Sequence, residues 1–172
     1  AFTTIAKSKI PTIALAHGFC IGGATSLVSA CDIRLATKDA KFSIGETKLG
    51  LVADVGVIQR MPKIVSSGDM NELALTGRII DGEHAEKIRF VSKAYGNSDE
   101  LFEAGEKLAN EISSNSKRIV QATKEALEKS SNLTVDQGLE YAKLWSTSFL
   151  VSEDLREGVM AFLEKRDPKF NE

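Results

Sequence analysis

Glu46 and Asp54 are the side chains in this sequence whose surroundings best suit proton chemistry. Glu46 lies in Ile44-Gly45-Glu46-Thr47-Lys48-Leu49-Gly50-Leu51, an acid among apolar and glycine neighbours. Burial makes a carboxyl hold its proton more tightly, because the charged form loses its hydration, and such a group can exchange protons near neutral pH. The plainer reading of this acid is a solvated loop residue paired with Lys48. Asp54 stands in Leu51-Val52-Ala53-Asp54-Val55-Gly56, where its neighbours are apolar or glycine. One use for it is as the N-cap of a following helix, since an Asp carboxylate accepts an orphan backbone N–H. The other is as a second acid facing Glu46. Two carboxylates in one pocket cannot both ionise cheaply, so one can donate a proton while the other accepts.

A third candidate is backbone. His17-Gly18-Phe19-Cys20-Ile21-Gly22-Gly23-Ala24 reads as a strand end, a glycine turn and a helix start. Free N–H groups at a helix start attract negative charge, and glycine lets a ligand approach the chain closely. An oxyanion forming on a carbonyl would be stabilised there, by about 3–4 kcal/mol in comparable sites. A tight turn that uses glycine only for packing is the alternative. The segment lacks the Lys-Ser/Thr of a phosphate-binding Walker loop, and its glycine spacing does not fit a dinucleotide fold. Ser26, His17 and Asp54 lack the nucleophile elbow that a serine triad would need. His84 falls on a polar helix and is expected to face solvent; Trp145 is expected in the core.

These groups must be held by ordinary globular structure. The 172 residues are 42% hydrophobic and 27% charged, with net charge −2, which suits one domain or a large piece of one. That balance offers no basic surface for nucleic acid. Cys20 and Cys31 are the two cysteines. Without zinc-site or disulfide-framework spacing, they read as reduced, buried thiols. No apolar stretch is long enough to span a bilayer. The segment from Ala1 to Lys9 has no apolar signal core, and the end at Lys169-Phe170-Asn171-Glu172 carries no peroxisomal tripeptide.

The apolar run 12–16 reads as a buried strand, followed by a helix from Gly22-Gly23 to about Ala30 with Leu27, Val28 and Ala30 facing the core. A second strand covers 32–36, and 41–44 is extended. Residues 45–56 read as a long loop, and 57–61 and 63–65 as short helical pieces broken by Pro62. A helix over 69–75 ends at Gly77, Asp81 caps a helix to Lys87, and 88–94 reads as a strand. From there the apolar spacing is helical: Leu101, Gly105, Leu108 and Ile112; then 119–129; then Val135 to Phe149, opened by a Thr134/Gln137 capping box; then Leu155, Val159 and Phe162. Alternating strands and helices followed by helices alone imply an α/β layer over residues 1–98 and a helical subdomain over 99–172.

Taken together, several stretches resemble the enoyl-CoA hydratase/isomerase (crotonase) superfamily. They are Gly18-Phe19-Cys20-Ile21-Gly22-Gly23-Ala24, Ala30-Cys31-Asp32-Ile33-Arg34, Phe42-Ser43-Ile44-Gly45-Glu46, Leu49-Gly50-Leu51 and Gln59-Arg60-Met61-Pro62. Asn71 to Arg78 and Glu157 to Leu163 are similar to later landmarks, so the resemblance covers nearly the whole chain. It implies a spiral of ββα units with a C-terminal helical region, lacking the family's N-terminal part. That part carries the first strands, some of the CoA-binding surface and the second oxyanion donor.

By position, the resemblance assigns Gly23 to the oxyanion hole, Glu46 to catalysis, and Phe19, Gly22 and Leu51 to substrate binding. Ala53-Asp54-Val55-Gly56 is similar to the stretch that supplies a catalytic aspartate in dienoyl-CoA isomerases. These shift a 3,5-diene to a 2,4-diene by moving a proton between two carboxylates. Ser26 departs from the pattern: hydratases carry a glutamate there and dienoyl isomerases an aspartate. Loss of that acid weighs against hydration. The expected activity is dienoyl-CoA isomerisation in fatty-acid β-oxidation. Alternatives are a single-glutamate 3-enoyl-CoA to 2-enoyl-CoA isomerase, a hydratase-like enzyme, and a non-catalytic acyl-CoA-binding or assembly subunit. The resemblance further implies CoA as substrate carrier and neither metal nor redox cofactor. It implies a homotrimer or homohexamer, in the mitochondrial matrix or peroxisome of a eukaryote or the cytoplasm of a bacterium.

Overall fold

A computed structural model describes residues 2–170. The chain divides into two compact units: one runs up to Ser8 and continues over Thr12–Lys107, and the other combines Lys9–Pro11 with the chain from Leu108 onward.

The first unit opens with a short helix α1 (Phe2–Ala6) and then winds between two sheets. Strand β1 (Ile13–Ala16) lies in the first sheet, β2 (Phe19–Ile21) in the second, and helix α2 (Gly23–Ser29) follows. The pattern repeats with β3 (Ile33–Thr37) beside β1 and β4 (Lys41–Ser43) beside β2, both parallel. After α3 (Val57–Arg60) and α4 (Ser67–Thr76), β5 (Ile80–Asp81) pairs antiparallel with β4. Helix α5 (Gly82–Lys87) then leads to β6 (Lys93–Tyr95), parallel to β3. This two-strands-then-helix winding is the expected ββα spiral.

Small side chains let the layers approach: Ala16, Ala36 and Ala40 are buried among Phe42, Val57, Met61 and Phe90. Phe42 and Phe90 meet edge to face, with ring centroids 5.4 Å apart. Burying each ring stabilises the fold by roughly 1.5–3 kcal/mol. Two polar residues of the 30–34 motif are structural. Asp32 accepts the Thr12 N–H at 2.7 Å and the Thr12 hydroxyl at 2.9 Å. Arg34 donates to the Phe90 and Cys31 carbonyls at 2.7 and 2.8 Å, and burial pulls its guanidinium below its ordinary pKa.

Several expectations are corrected. The strand expected over 88–94 is confined to Lys93–Tyr95, because Arg89 takes a left-handed φ of 64° and breaks the extension, although Phe90 and Val91 stay buried. Residues Gly45–Leu49 form a 3₁₀ helix within the expected loop. Leu27 is 37% exposed and does not belong to the core. Cys31 is only partly buried, whereas Cys20 is buried and its thiol is pushed above the usual range by desolvation. Asp81 does cap α5, accepting the His84 N–H at 2.9 Å, and His84 is exposed.

Helix α6 (Ser98–Ser113) precedes the helices of the second unit, α7 (Lys117–Ser130), α8 (Val135–Thr147) and α9 (Glu153–Glu164). Side-chain caps fix their starts, because they satisfy N–H groups that the helix cannot. Ser116 accepts from Ile119, Ser152 accepts from Leu155, and the Thr134/Gln137 capping box is formed in full. Trp145 is half-buried, stacks on Tyr141, and donates its indole N–H to the Ala122 carbonyl at 3.0 Å. The Lys124 ammonium reaches the Ile10 carbonyl at 3.1 Å.

Candidate active site around Glu46

Helix α2 starts at a glycine for a conformational reason. Its N-cap, Gly22, has φ 58° and ψ −114°, a backbone that side chains disfavour. The Gly22 N–H donates to the Ser43 carbonyl at 2.9 Å, which ties the turn to the end of β4. Helical bonding begins when Ser26 N–H meets the Gly22 carbonyl at 3.0 Å. The amides of Gly23, Ala24 and Thr25 therefore precede the helical ladder and present a partial positive charge. Gly23 has open space where a Cβ would stand.

Glu46 comes to this turn from the 3₁₀ helix Gly45–Leu49. Its carboxylate rests against Gly22, where an added Cβ would lie 3.4 Å from Oε1 and 3.9 Å from Oε2. Its Oε2 is shut away from solvent and has no hydrogen-bond partner. A cavity of about 470 Å³ opens here, with Gly22, Gly23, Glu46, Lys48, Leu49 and Ile79 among its walls. The expected solvated pair between Glu46 and Lys48 is not formed; instead the Lys48 stem lies across Gly77, whose Cβ would come 3.0 Å from Lys48 Cγ.

Three hydroxyl side chains that sequence reasoning gave no role hold this arrangement. The Thr25 hydroxyl sits between the carbonyls of Cys20 and Ser43, 3.0 Å from the latter, and gives its proton to one at a time. Ser43 Oγ donates to the Gly77 carbonyl at 3.0 Å, and Thr47 Oγ1 donates to the Ala74 carbonyl at 2.6 Å. The 3₁₀ helix that carries Glu46 is thereby fixed to the end of α4, where Gly77 takes the left-handed cap with φ 59°. The only sequence signal for this was a set of small hydroxyl residues inside glycine-rich stretches.

The other expected site residues do not line this cavity, although the Leu51 N–H donates to the Glu46 carbonyl at 3.0 Å. Asp54 is exposed and lines a different cavity, also about 470 Å³, with Phe2, Thr3, Val55, Gln59 and Arg60. It is not a helix cap: Gly56 is the N-cap of α3, without any side-chain capping bond. Phe19 and Leu51 are 80% and 60% exposed and line neither cavity. Ser26 is wholly buried, and its hydroxyl has no hydrogen-bond partner. Among the described residues no three His, Cys, Asp or Glu side chains are clustered as metal ligands, and no helix is long and apolar enough to cross a membrane.

The arrangement is thus a carboxylate with one oxygen shut from solvent, beside the amide of the exposed Gly23 at a helix start, which suits moving a proton next to a developing oxyanion. Known proteins are similar to nearly the whole chain. The family model described as enoyl-CoA hydratase/isomerase matches residues 1–172. A mitochondrial Delta(3,5)-Delta(2,4)-dienoyl-CoA isomerase of Dictyostelium discoideum is 50% identical over 166 residues, covering 96% of this chain and 57% of that protein. The peroxisomal isomerase of the same name from Arabidopsis thaliana is 43% identical, covering 99% of this chain and 61% of that protein. The solved enoyl-CoA hydratase of Bacillus anthracis superposes with a TM-score of 0.92 at 30% identity, over 98% of this chain and 65% of that one. The chain therefore spans little more than half the length of the curated relatives it matches.

Proposed function

The chain belongs to the enoyl-CoA hydratase/isomerase family, and from that premise we propose that it forms the Glu46-bearing part of an isomerase converting 3,5-dienoyl-CoA into 2,4-dienoyl-CoA. The observation that carries this reading is the shielded Glu46 carboxylate against Gly22, at the start of α2. One carboxylate, Glu46 or Asp54, removes a proton from C2 of the acyl thioester. The electron pair spreads over the diene and onto the thioester oxygen, which rests against the Gly23 N–H. The other carboxylate returns a proton at the far end of the diene. The product is conjugated with the thioester, and the reaction consumes neither water nor an oxidant. The names of the curated relatives support this reading.

One observation favours a second reading. Asp54 lines a cavity other than that of Glu46. A single-glutamate enzyme that moves a 3-enoyl-CoA double bond to position 2 needs Glu46 alone, removing and returning the proton over a shorter path. Ser26 weighs against hydration in either case, because a buried hydroxyl cannot activate water as a second acid does.

We further assign the helical segment 99–172 to self-association as a trimer or hexamer. Val151, Phe162, Val135 and Leu144 stand 97, 83, 79 and 75% exposed, apolar surface that a subunit contact would cover. The relatives named mitochondrial and peroxisomal support a place in organellar fatty-acid β-oxidation. Assay of the full-length product on 3,5-dienoyl-CoA and on 3-enoyl-CoA separates the two isomerase readings. Conversion of neither, with normal CoA-ester binding, leaves a non-catalytic acyl-CoA-binding subunit.

A further inference from the structure

We propose that Arg60 is a positioning residue: it grips the turn that carries Asp54 and so fixes where that carboxylate is presented. The inference rests on the paired-acid reading above. Gly56, two residues beyond Asp54, has φ 111°, and a Cβ there would lie 2.0 Å from Arg60 Nη1 and 2.9 Å from Cζ. The guanidinium therefore lies directly on the Gly56 backbone, where only glycine leaves room. Its Nη1 donates to the Val55 carbonyl at 3.4 Å, and its Nη2 donates to the Thr3 hydroxyl on α1 at 3.2 Å. The Arg60 backbone N–H closes the same turn by donating to the Gly56 carbonyl at 3.1 Å.

Asp54 has no capping role to hold it, because the N-cap of α3 is Gly56 and makes no side-chain bond. The planar fork of Arg60, spanning from Val55 to Thr3, adds a side-chain clamp to the Val55-Gly56 backbone beyond the turn's own backbone bond. Asp54 and Arg60 line the same cavity of about 470 Å³. The guanidinium thus acts on the acid through the chain between them. A lysine ammonium is a single point of charge without a flat fork, and it cannot cover Gly56 while reaching both acceptors.

A double-mutant cycle in the full-length protein, assayed on 3,5-dienoyl-CoA, tests this. A displacement of about 1 Å in a reacting group costs up to roughly 100-fold in rate. Arg60→Met is expected to lower kcat by about 10- to 100-fold while KM moves by less than about 3-fold. Because Arg60 acts only through Asp54, the Asp54→Asn/Arg60→Met double variant should match Asp54→Asn alone within about 2-fold. Arg60→Lys keeps the charge and the long stem. It should show the same loss, and it carries the test if Arg60→Met does not fold. Losses that multiply in the double variant overturn the proposal, as does an unchanged kcat in the Arg60 variants when Asp54→Asn has collapsed. Wild-type turnover in Asp54→Asn overturns the paired-acid reading itself, and the role of Arg60 with it.

Discussion

The carboxylate of Glu46 lies against Gly22, where a methyl group would stand in van der Waals contact, 3.4 Å from Oε1. Gly22 also holds φ 58° and ψ −114°. Gly22→Ala should therefore destabilise the fold by about 1–3 kcal/mol through backbone strain, and relief of that strain should move the turn on which Glu46 rests. Urea unfolding and turnover measured on the same variant check this; unchanged values of both would mean that the contact does not constrain Glu46.

Ser26 is wholly buried with an unpartnered hydroxyl. Ser26→Ala removes a polar group that makes no bond, so stability should stay level or rise by up to about 1 kcal/mol. Ser26→Asp would bury a carboxylate without a partner. It should cost several kcal/mol and confer no hydration of 2-enoyl-CoA. Denaturant midpoints and a hydration assay test both halves.

How much of this was legible before the fold was known differs from residue to residue. Gly22, Gly23 and Glu46 were legible because a glycine pair at a helix start and a lone acid in an apolar setting are local patterns. The supports were not. Thr25, Ser43 and Thr47 bond to carbonyls 18 to 34 residues away, and no spacing rule connects such partners. Strands β2 and β5, of three and two residues, are too short to show a period. Asp54 was read as cap or acid, and only the structure shows that Gly56 takes the cap. In the helical half, amphipathic spacing and the Thr134/Gln137 capping box were plain, because caps are read from residues three apart.

Asp54→Asn divides the two isomerase readings. With paired acids, turnover of 3,5-dienoyl-CoA should fall by about 100-fold or more, since one general acid–base group is lost. Turnover of 3-enoyl-CoA should stay within a few-fold. Equal, small effects on both substrates would favour the single-glutamate enzyme.

Glu157 anchors the chain beyond α9. Its carboxylate accepts from Arg166 at 2.6 and 3.0 Å and from the Lys169 backbone N–H at 2.7 Å. The Arg166 hydrogen bonds, with the Lys169 N–H second, hold the carboxyl at about 2, below its ordinary value of 4.5. A depressed folded-state value stabilises above the unfolded value and is lost as pH falls through the folded one. The tether should therefore be intact above about pH 4.5 and fail between there and about pH 2. Glu157→Gln should loosen the tail already at pH 7. Hydrogen exchange across residues 165–170 reads both effects; equal protection at pH 5 and pH 2 would contradict the assignment.

The most direct test of the central claim is the kcat of the full-length protein on 3,5-dienoyl-CoA with and without Glu46→Gln, followed by the absorbance of the conjugated product. The amide keeps the shape of the carboxylate but cannot take up a proton. The kcat is expected to fall by at least about 100-fold, with the affinity for a CoA ester unchanged. A variant that turns over within a few-fold of wild type would contradict that claim.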